Sequence, residues 1–299
     1  MLSQSQEVFC LPTWFESALN HKAELTDIEV DGRRIHVRAW GCTDQPPLVF
    51  VHGAGAHGGW WEHIAPFFAE SYRVIAPDLS GHGDSEFRDR YALRTWAREV
   101  MAAAQFGTSG LPTIVGHGMG GWVAARAAQQ YREAVGAIAA IDSPLRDHTP
   151  KASHLRRHSP RTAKFQARED FLAQFESVPE QKTVLPYIGR HIAATSVRRT
   201  ISGWDWKVDR AVCTTPLLGD READQELMER ISTEMRCRVA YLRCGDGRVP
   251  LDMAEKIRSA MQLRGPFIEL PEAGHYPMLD QPLPLITALR TLLEMWSIS

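Results

Sequence analysis

Residues 111–121 read LPTIVGHGMGG, an apolar run that ends in a glycine-rich turn and leads into a helical pattern. Three other runs have the same form: PLVFVHG at 47–53, YRVIAPDLSGHG at 72–83 and AVGAIAAIDSP at 134–144. Unbroken apolar runs of this kind are typical of strands buried on both faces of a parallel sheet. Helical stretches alternate with them, which predicts an α/β fold with a mostly parallel central sheet flanked by helices.

The alternation of strands and helices stops near residue 145 and resumes at CRVAYLRCG, residues 237–245. The intervening segment is polar and partly basic, and it carries short amphipathic helical patterns. We therefore predict one core domain formed by residues 1–144 and 213–299. Residues 145–212 are predicted to form a helical cap (lid) over the carboxyl ends of the strands.

Composition limits the classes of function. The chain has 34 Lys and Arg against 36 Asp and Glu, a net charge of −2 that offers no field to attract nucleic acid. No apolar run approaches the roughly 20 residues of a membrane span, and the first residues lack a secretory pattern. Its 5 cysteines form no C-x-x-C pair, which indicates reduced thiols and argues against a zinc site. These features predict a cytoplasmic protein.

Four motifs point to one family: FVHGAGAHGGWW at 50–61, APDLSGHGDS at 76–85, VGHGMGG at 115–121 and AGHYPMLDQP at 273–282. Through them nearly the whole chain resembles the α/β-hydrolase superfamily, in particular capped bacterial hydrolases of the esterase and meta-cleavage-product hydrolase type. The resemblance implies hydrolysis of an ester or a related acyl or C–C bond in a small organic substrate by Ser-His-Asp chemistry. It implies no cofactor and no metal, and it is compatible with a homodimer.

The third motif departs from the family pattern at its central position. The nucleophile elbow of the family reads G-x-S-x-G, with serine on a sharp strand-to-helix turn, whereas this sequence has Gly118 there. Glycine has no hydroxyl, so no acyl-enzyme can form at this position. The neighbouring His117 and Met119 do not replace the serine. The glycine is either natural or an introduced inactivation of a serine hydrolase, and the sequence leaves both histories open.

His275 is the expected general base, because a Gly-His pair follows the last predicted strand, where the family keeps this residue. Two aspartates are candidates for its carboxylate partner. Asp246 precedes Val-Pro in GDGRVP, although this loop is shorter than the usual G-x-x-D form. Asp142 ends the apolar run AIAAID, where some relatives carry the acid. The family pattern favours Asp246 as the group that orients His275, with Asp142 as the second candidate.

The resemblance also implies an oxyanion hole made of the main-chain N–H groups of Ala54 and Met119. Three polar residues of the DLSGHGDS loop, Asp78, His82 and Asp84, are expected to be structural. Substrate sites are mostly apolar with a few polar groups. The residues expected to contact substrate are His52, Gly53, Gly55, His117, Trp60, Trp61, Trp204, Trp206 and Tyr276.

Two other functions stay open on the sequence alone. In the first, His275 acts as a base on an ionisable substrate without a protein nucleophile, as in lyases and cofactor-free oxygenases of this fold. In the second, the chain binds a ligand without converting it. Turnover of an activated ester by this chain and by a Gly118→Ser variant would separate these functions from serine-hydrolase chemistry.

Overall fold

The computed structural model describes residues 11–144, 180–201, 203–214, 235–261 and 264–298, together with residues 169 and 172. Most of the predicted cap between residues 145 and 179 therefore lies outside the described residues. Within the described ranges, no helix has the length and apolar character that a membrane span requires.

The main chain of the described residues forms ten strands and eight α-helices. The strands are β1 (Glu24–Val30), β2 (Arg33–Trp40), β3 (Pro47–Val51), β4 (Arg73–Pro77), β5 (Thr113–His117), β6 (Ala137–Ile141), β7 (Val197–Thr200), β8 (Gly203–Trp206), β9 (Arg238–Asp246) and β10 (Phe267–Gly274). The helices are α1 (Thr13–Asn20), α2 (Leu93–Ala104), α3 (Met119–Gln130), α4 (Pro186–Thr195), α5 (Arg210–Thr214), α6 (Leu251–Met261), α7 (Pro277–Asp280) and α8 (Pro282–Ile298). Two 3₁₀ helices, Gly58–Trp61 and Ala65–Phe68, precede β4.

Eight strands form one sheet in the order β1-β2-β4-β3-β5-β6-β9-β10. The pairs β1–β2 and β2–β4 are antiparallel, and the other five pairs are parallel. The predicted mostly parallel α/β sheet is confirmed. Because the carboxyl ends of parallel strands meet at one edge, the residues that follow β3, β5, β6, β9 and β10 converge there.

The sheet is covered on both faces, and every residue of its central strands β3 and β6 is apolar and buried. Successive residues of β3 point to opposite faces. Val49 belongs to the cluster that contains Trp96 of α2 and Val123 of α3. Phe50 belongs to the cluster that contains Leu289 of α8. A strand that buries both faces reads as a continuous apolar run, which explains the sequence pattern.

The described part of the predicted cap contains α4, the first residues of α5 and the antiparallel hairpin β7–β8, and the isolated described residues 169 and 172 are helical. The hairpin was not predicted, since the segment was expected to be mostly helical. Main-chain bonds attach it to the core: Gly83 N–H donates to the Lys207 carbonyl at 2.7 Å, and Asp209 N–H donates to the Gly81 carbonyl at 2.7 Å. The extent of the cap, 145–212, stays a prediction.

Candidate active site

The turn at Gly118 has the geometry of a nucleophile elbow. Gly118 joins the end of β5 to the first residue of α3 with φ 53° and ψ −115°. A residue with a side chain in a sparsely populated backbone region of this kind costs on the order of 1–3 kcal/mol. The Gly118 N–H donates to the Ile141 carbonyl of β6 at 2.9 Å, which ties the turn to the neighbouring strand.

Two further glycines of the motif allow this turn to pack tightly. A Cβ on Gly116 would overlap the main chain of Gly120, and a Cβ on Gly120 would overlap the Val51 carbonyl of β3. Helix α3 therefore approaches the sheet more closely than any side chain at these positions would allow. This packing is built into the elbow whether the residue at 118 is serine or glycine.

His275 and Asp142 form a buried hydrogen-bonded pair. The His275 Nδ1–H donates to Oδ2 of Asp142 at 2.7 Å, and both side chains are almost fully shielded from solvent. His275 follows β10, and Asp142 follows β6 with a positive φ of 43°. This bond fixes the tautomer of the neutral ring, so that its Nε2 carries the lone pair.

The prediction that Asp246 is the partner of His275 is wrong. Asp246 is the last residue of β9 and lies in register with Gly274 of β10. Its side chain is 54% exposed, and its carboxylate lies 3.4 Å from Nζ of Lys182. Because the loop after β9 is short, Asp246 stays in the strand and does not reach the imidazole. The second candidate, Asp142, holds that position.

The imidazole faces the residue at the centre of the elbow. A Cβ placed on Gly118 would lie 3.4 Å from both Nε2 and Cε1 of His275, which is ordinary contact. Leaving aside the two flanking residues, no other atom of the described residues lies within 4 Å of that Cβ. A hydroxymethyl group or a small oxygen ligand therefore fits between Gly118 and the Nε2 lone pair.

Burial keeps His275 in its neutral form at neutral pH. Removal from solvent lowers the pKa of His275 below the ordinary 6.5, although the Asp142 carboxylate opposes this by favouring the imidazolium. The positive charge of Arg248 also lowers it. A neutral imidazole with a free Nε2 lone pair is the form that a general base requires.

His117 is hydrogen-bonded to the main chain of the loop that carries His275. Its Nε2–H donates to the His275 carbonyl at 2.6 Å, and the two rings lie 4.7 Å apart. Burial lowers the pKa of His117 well below its usual range, so the ring stays neutral. A Cβ on Gly53 would lie 2.8 Å from Nδ1 of His117. His117 and Gly53 thus pack against each other, and a substrate contact for them stays a prediction.

The loop after β3 carries Ala54, one of the two predicted oxyanion residues. Nε2 of His52 accepts a hydrogen bond from Leu79 N–H at 3.0 Å, while its Nδ1–H donates to the Gly53 carbonyl at 2.8 Å. These bonds connect the loop after β3 to the loop after β4 and fix its position. Ala54 is exposed, and Gly55 follows with φ 76°.

Among the described residues, the Ala54 N–H has no hydrogen-bond partner. Met119 is the first residue of α3, so its N–H has no partner within the helix. These two donors remain the predicted oxyanion hole.

The predicted aromatic residues divide between the site and the core. Tyr276 is buried with its ring 4.7 Å from that of His275, and the Trp60 ring lies 5.3 Å from the Tyr276 ring. Trp61 is fully buried and stacks on Phe50 at 4.8 Å. Trp61 is therefore a core residue, contrary to its predicted substrate contact.

The other two tryptophans lie on the hairpin. Trp204 and Trp206 belong to β8, pair with Arg199 and Val197 of β7 and are partly buried. Their contact with substrate stays a prediction.

The polar loop after β4 is structural, as expected. Oδ1 of Asp78 accepts hydrogen bonds from Gly58 N–H at 2.7 Å and from Arg38 at 2.8 Å, and Oδ2 accepts one from Asp84 N–H at 2.7 Å. Asp84 also pairs with Nζ of Lys207 at 2.8 Å. His82 is buried, with its ring 4.8 Å from that of His52.

Two residues near the pair were not singled out from the sequence. Gln181 binds both main-chain polar groups of Tyr276: its Oε1 accepts from Tyr276 N–H at 2.7 Å, and its Nε2 donates to the Tyr276 carbonyl at 3.2 Å. Arg248 donates its main-chain N–H to Oδ2 of Asp142 at 2.7 Å. No motif marks Gln181, whereas Arg248 lies inside the GDGRVP segment that contains Asp246.

Within the described ranges, no group of three or more His, Cys, Asp or Glu side chains is arranged to hold a metal ion. A family model described as the alpha/beta hydrolase family matches residues 48–288, which include the elbow, Asp142 and His275. The chain belongs to the alpha/beta hydrolase family.

Two relatives match only part of the chain. The magnesium-chelatase 30 kDa subunit of Rhodobacter capsulatus is 35% identical over 106 residues, 34% of this chain and 37% of that protein. The pimeloyl-(acyl-carrier protein) methyl ester esterase of Methylococcus capsulatus is 37% identical over 97 residues, 32% of this chain and 35% of that protein. The chain thus matches about a third of the length of these relatives.

The fold is similar to solved structures over nearly the whole chain. The crystal structure of E-2-(acetamidomethylene)succinate hydrolase has a TM-score of 0.74 to this chain at 18% identity. The alignment covers 91% of this chain and 99% of that one. At this identity the similarity concerns the fold alone.

Proposed function

We propose that this protein is a hydrolase of an ester or a related acyl bond in a small organic substrate, with His275 and Asp142 as its acid–base pair and without a covalent nucleophile. One observation carries the proposal. The pair is complete, with a 2.7 Å bond, and Nε2 of His275 lies 3.4 Å from the Cβ position of residue 118. The relative from Methylococcus capsulatus is an ester hydrolase by name, which supports an ester as the substrate class.

In the proposed reaction, water takes the part that the serine hydroxyl has in the family. Nε2 of His275 accepts a proton from a water molecule beside Gly118, and the water oxygen attacks the carbonyl carbon. The main-chain N–H groups of Met119 and Ala54 stabilise the oxyanion that forms. The imidazolium, stabilised by Asp142, then gives its proton to the leaving alcohol as the C–O bond breaks, and acid and alcohol are released.

The test is hydrolysis of p-nitrophenyl butyrate by the protein and by three variants. We expect His275→Ala and Asp142→Asn to lower kcat by on the order of 10²–10⁴-fold, the usual contribution of general acid–base catalysis. Asp246→Asn is the matched control, since its carboxylate faces Lys182, and it should stay within about twofold of the parent protein. Mass spectrometry during turnover should find no acylated protein.

The outcomes separate the alternatives. Turnover that survives His275→Ala would refute the proposal, because the reaction would then occur elsewhere. Binding of ester analogues without any turnover would favour a ligand-binding protein.

A second candidate uses the same Nε2 to remove a proton from an ionisable substrate, and the glycine at 118 is the observation that favours it. In that case esters would be inert. A substrate deuterated at its acidic C–H would lose the label only with His275 intact.

A further inference from the structure

The loop after β9 wraps around the Asp142 carboxylate. Gly247 packs so closely on this carboxylate that a Cβ would overlap it, which explains a glycine at this position. The next residue, Arg248, donates its main-chain N–H at 2.7 Å to Oδ2 of Asp142, the oxygen that also accepts from His275. The Arg248 main chain is therefore held directly beside the acid–base pair.

The Arg248 guanidinium has no counter-ion within the described part of the chain. Its side chain is partly buried, yet no described carboxylate lies within ion-pair distance of it. By contrast, Arg38, Arg88 and Arg243 each meet a carboxylate at 3.1 Å or less. A partly desolvated guanidinium without a partner is costly. The N–H donors of this guanidinium are therefore available to an anionic ligand.

The charge of Arg248 acts on the site itself. It lowers the pKa of His275 and also that of His117, in each case as a minor contribution beside burial. The two imidazole rings lie 4.7 Å apart next to Gly118. The main-chain bond to Oδ2 of Asp142 keeps residue 248 at the edge of this site.

We propose that Arg248 binds a carboxylate group of the substrate, which makes the substrate class a small ester or acyl compound that carries a free carboxylate. The proposal rests on the function proposed above. The planar guanidinium fork matches a carboxylate with two parallel N–H···O bonds. Such a bond would anchor one end of the substrate beside Asp142 while the acyl carbon lies at Gly118, so Arg248 determines specificity.

The test compares two esters of similar length, p-nitrophenyl butyrate, which is neutral, and mono-p-nitrophenyl glutarate, which carries a carboxylate. We expect Arg248→Gln to lower kcat/KM for the glutarate ester at least about tenfold more than for the butyrate ester. Arg248→Lys should retain an intermediate preference, since it keeps the charge without the fork. The matched control is Arg290→Gln, which removes the same charge from an exposed position on α8.

An equal loss for both esters would overturn the proposal, because Arg248 would then act through the His275–Asp142 pair. The bond to Asp142 comes from the main chain, so the substitution preserves it, and thermal melting checks that each variant is folded. If Arg248→Gln does not fold, Arg248→Lys is used instead, and its kcat/KM for the glutarate ester is divided by its kcat/KM for the butyrate ester. A ratio equal to that of the parent protein refutes the proposal.

A binding measurement separates this proposal from the proposed function. Glutarate itself is titrated calorimetrically into the protein and the two Arg→Gln variants. If neither ester is hydrolysed by the parent protein, the proposed function fails. Weaker glutarate binding by at least about tenfold in Arg248→Gln alone would still support the carboxylate site. Equal binding by both variants, or no binding by the parent protein, would refute it.

Discussion

Two buried clusters in this protein contain an aspartate and a histidine, and they differ in how many of their polar atoms are used. In the cluster around Asp78, both carboxylate oxygens accept hydrogen bonds from main-chain N–H groups or from Arg38. The neighbouring His57 uses both ring nitrogens, accepting from Gly59 N–H and donating to Ser196. The carboxylate oxygens of Asp78 and both ring nitrogens of His57 are thus all bonded within the protein.

The pair Asp142–His275 is incompletely bonded. Oδ1 of Asp142 is buried without a hydrogen-bond partner among the described residues. Nε2 of His275 likewise has none there and faces Gly118. Composition alone does not separate the two clusters, since each has a buried carboxylate and a neutral histidine. Full satisfaction of hydrogen bonds favours stability, whereas an unused lone pair beside an open main-chain turn favours chemistry.

The largest expected effect comes from giving the incompletely bonded pair a nucleophile. Gly118→Ser should raise hydrolysis of p-nitrophenyl butyrate by on the order of a hundredfold or more, because the base and the elbow are already in place. A phosphonate probe should then label the variant and not the parent protein. Because serine must adopt a φ of 53°, we also expect a loss of about 1 kcal/mol in the free energy of unfolding.

Gly118→Ala is the matched control for this gain. It adds the Cβ and the backbone strain without the hydroxyl, so it should lose similar stability and gain no activity. A serine variant that folds and stays inert toward esters and phosphonates would mean that the rest of the site no longer supports acyl transfer.

The same substitution should mainly reduce stability in the cluster around Asp78 and mainly reduce activity in the pair Asp142–His275. Asp78→Asn removes a buried charge that Arg38 needs and weakens the bond from Asp84 N–H, so it should lower the free energy of unfolding by about 3–5 kcal/mol. Asp142→Asn should cost no more than about 1 kcal/mol of stability, since its Oδ1 has no partner to lose, while it lowers activity. Urea denaturation at pH 7 measures both. Equal losses of stability would contradict the distinction between the clusters.

A smaller effect on kcat is expected at Gln181, which binds the main chain of Tyr276 and so positions the loop that carries His275. Gln181→Ala removes the bonds of 2.7 and 3.2 Å to the Tyr276 main chain and should lower kcat by about tenfold, with KM nearly unchanged. Gln181→Glu keeps an acceptor for Tyr276 N–H and should recover part of this loss. Lys182→Ala, at an 87% exposed neighbour, is the control. A change in melting temperature without a change in kcat would make Gln181 merely structural.

The smallest effect concerns pH. Because burial lowers the pKa of His275 below 6.5, the neutral base persists at pH 7, and kcat/KM should fall only as the pH drops below 6.5. Asp142 stabilises the imidazolium, so the residual activity of Asp142→Asn should have its midpoint at a still lower pH. A midpoint above 6.5 in the parent protein would contradict this account.

Much of this protein could be predicted from sequence pattern alone. The continuous apolar runs became the central parallel strands, because a strand buried on both faces has no polar positions. The Gly-x-Gly-x-Gly run became the elbow, because close packing of β3, β5 and α3 excludes a Cβ at Gly116 and Gly120. His275 was predicted because its Gly-His pair follows the last strand, where the resembled family keeps its general base. All of these features depend on residues close together along the chain.

The tertiary structure decided the partner of that histidine. Asp246 had the expected position relative to Val-Pro, but its strand continues through it, and its carboxylate points to Lys182. Asp142 reaches His275 through a positive φ of 43° and is covered by Gly247 from another loop. A backbone torsion and contacts between residues more than a hundred positions apart have no local pattern. Only the convergence of β6, β9 and β10 at one edge of the sheet determines which carboxylate meets the imidazole.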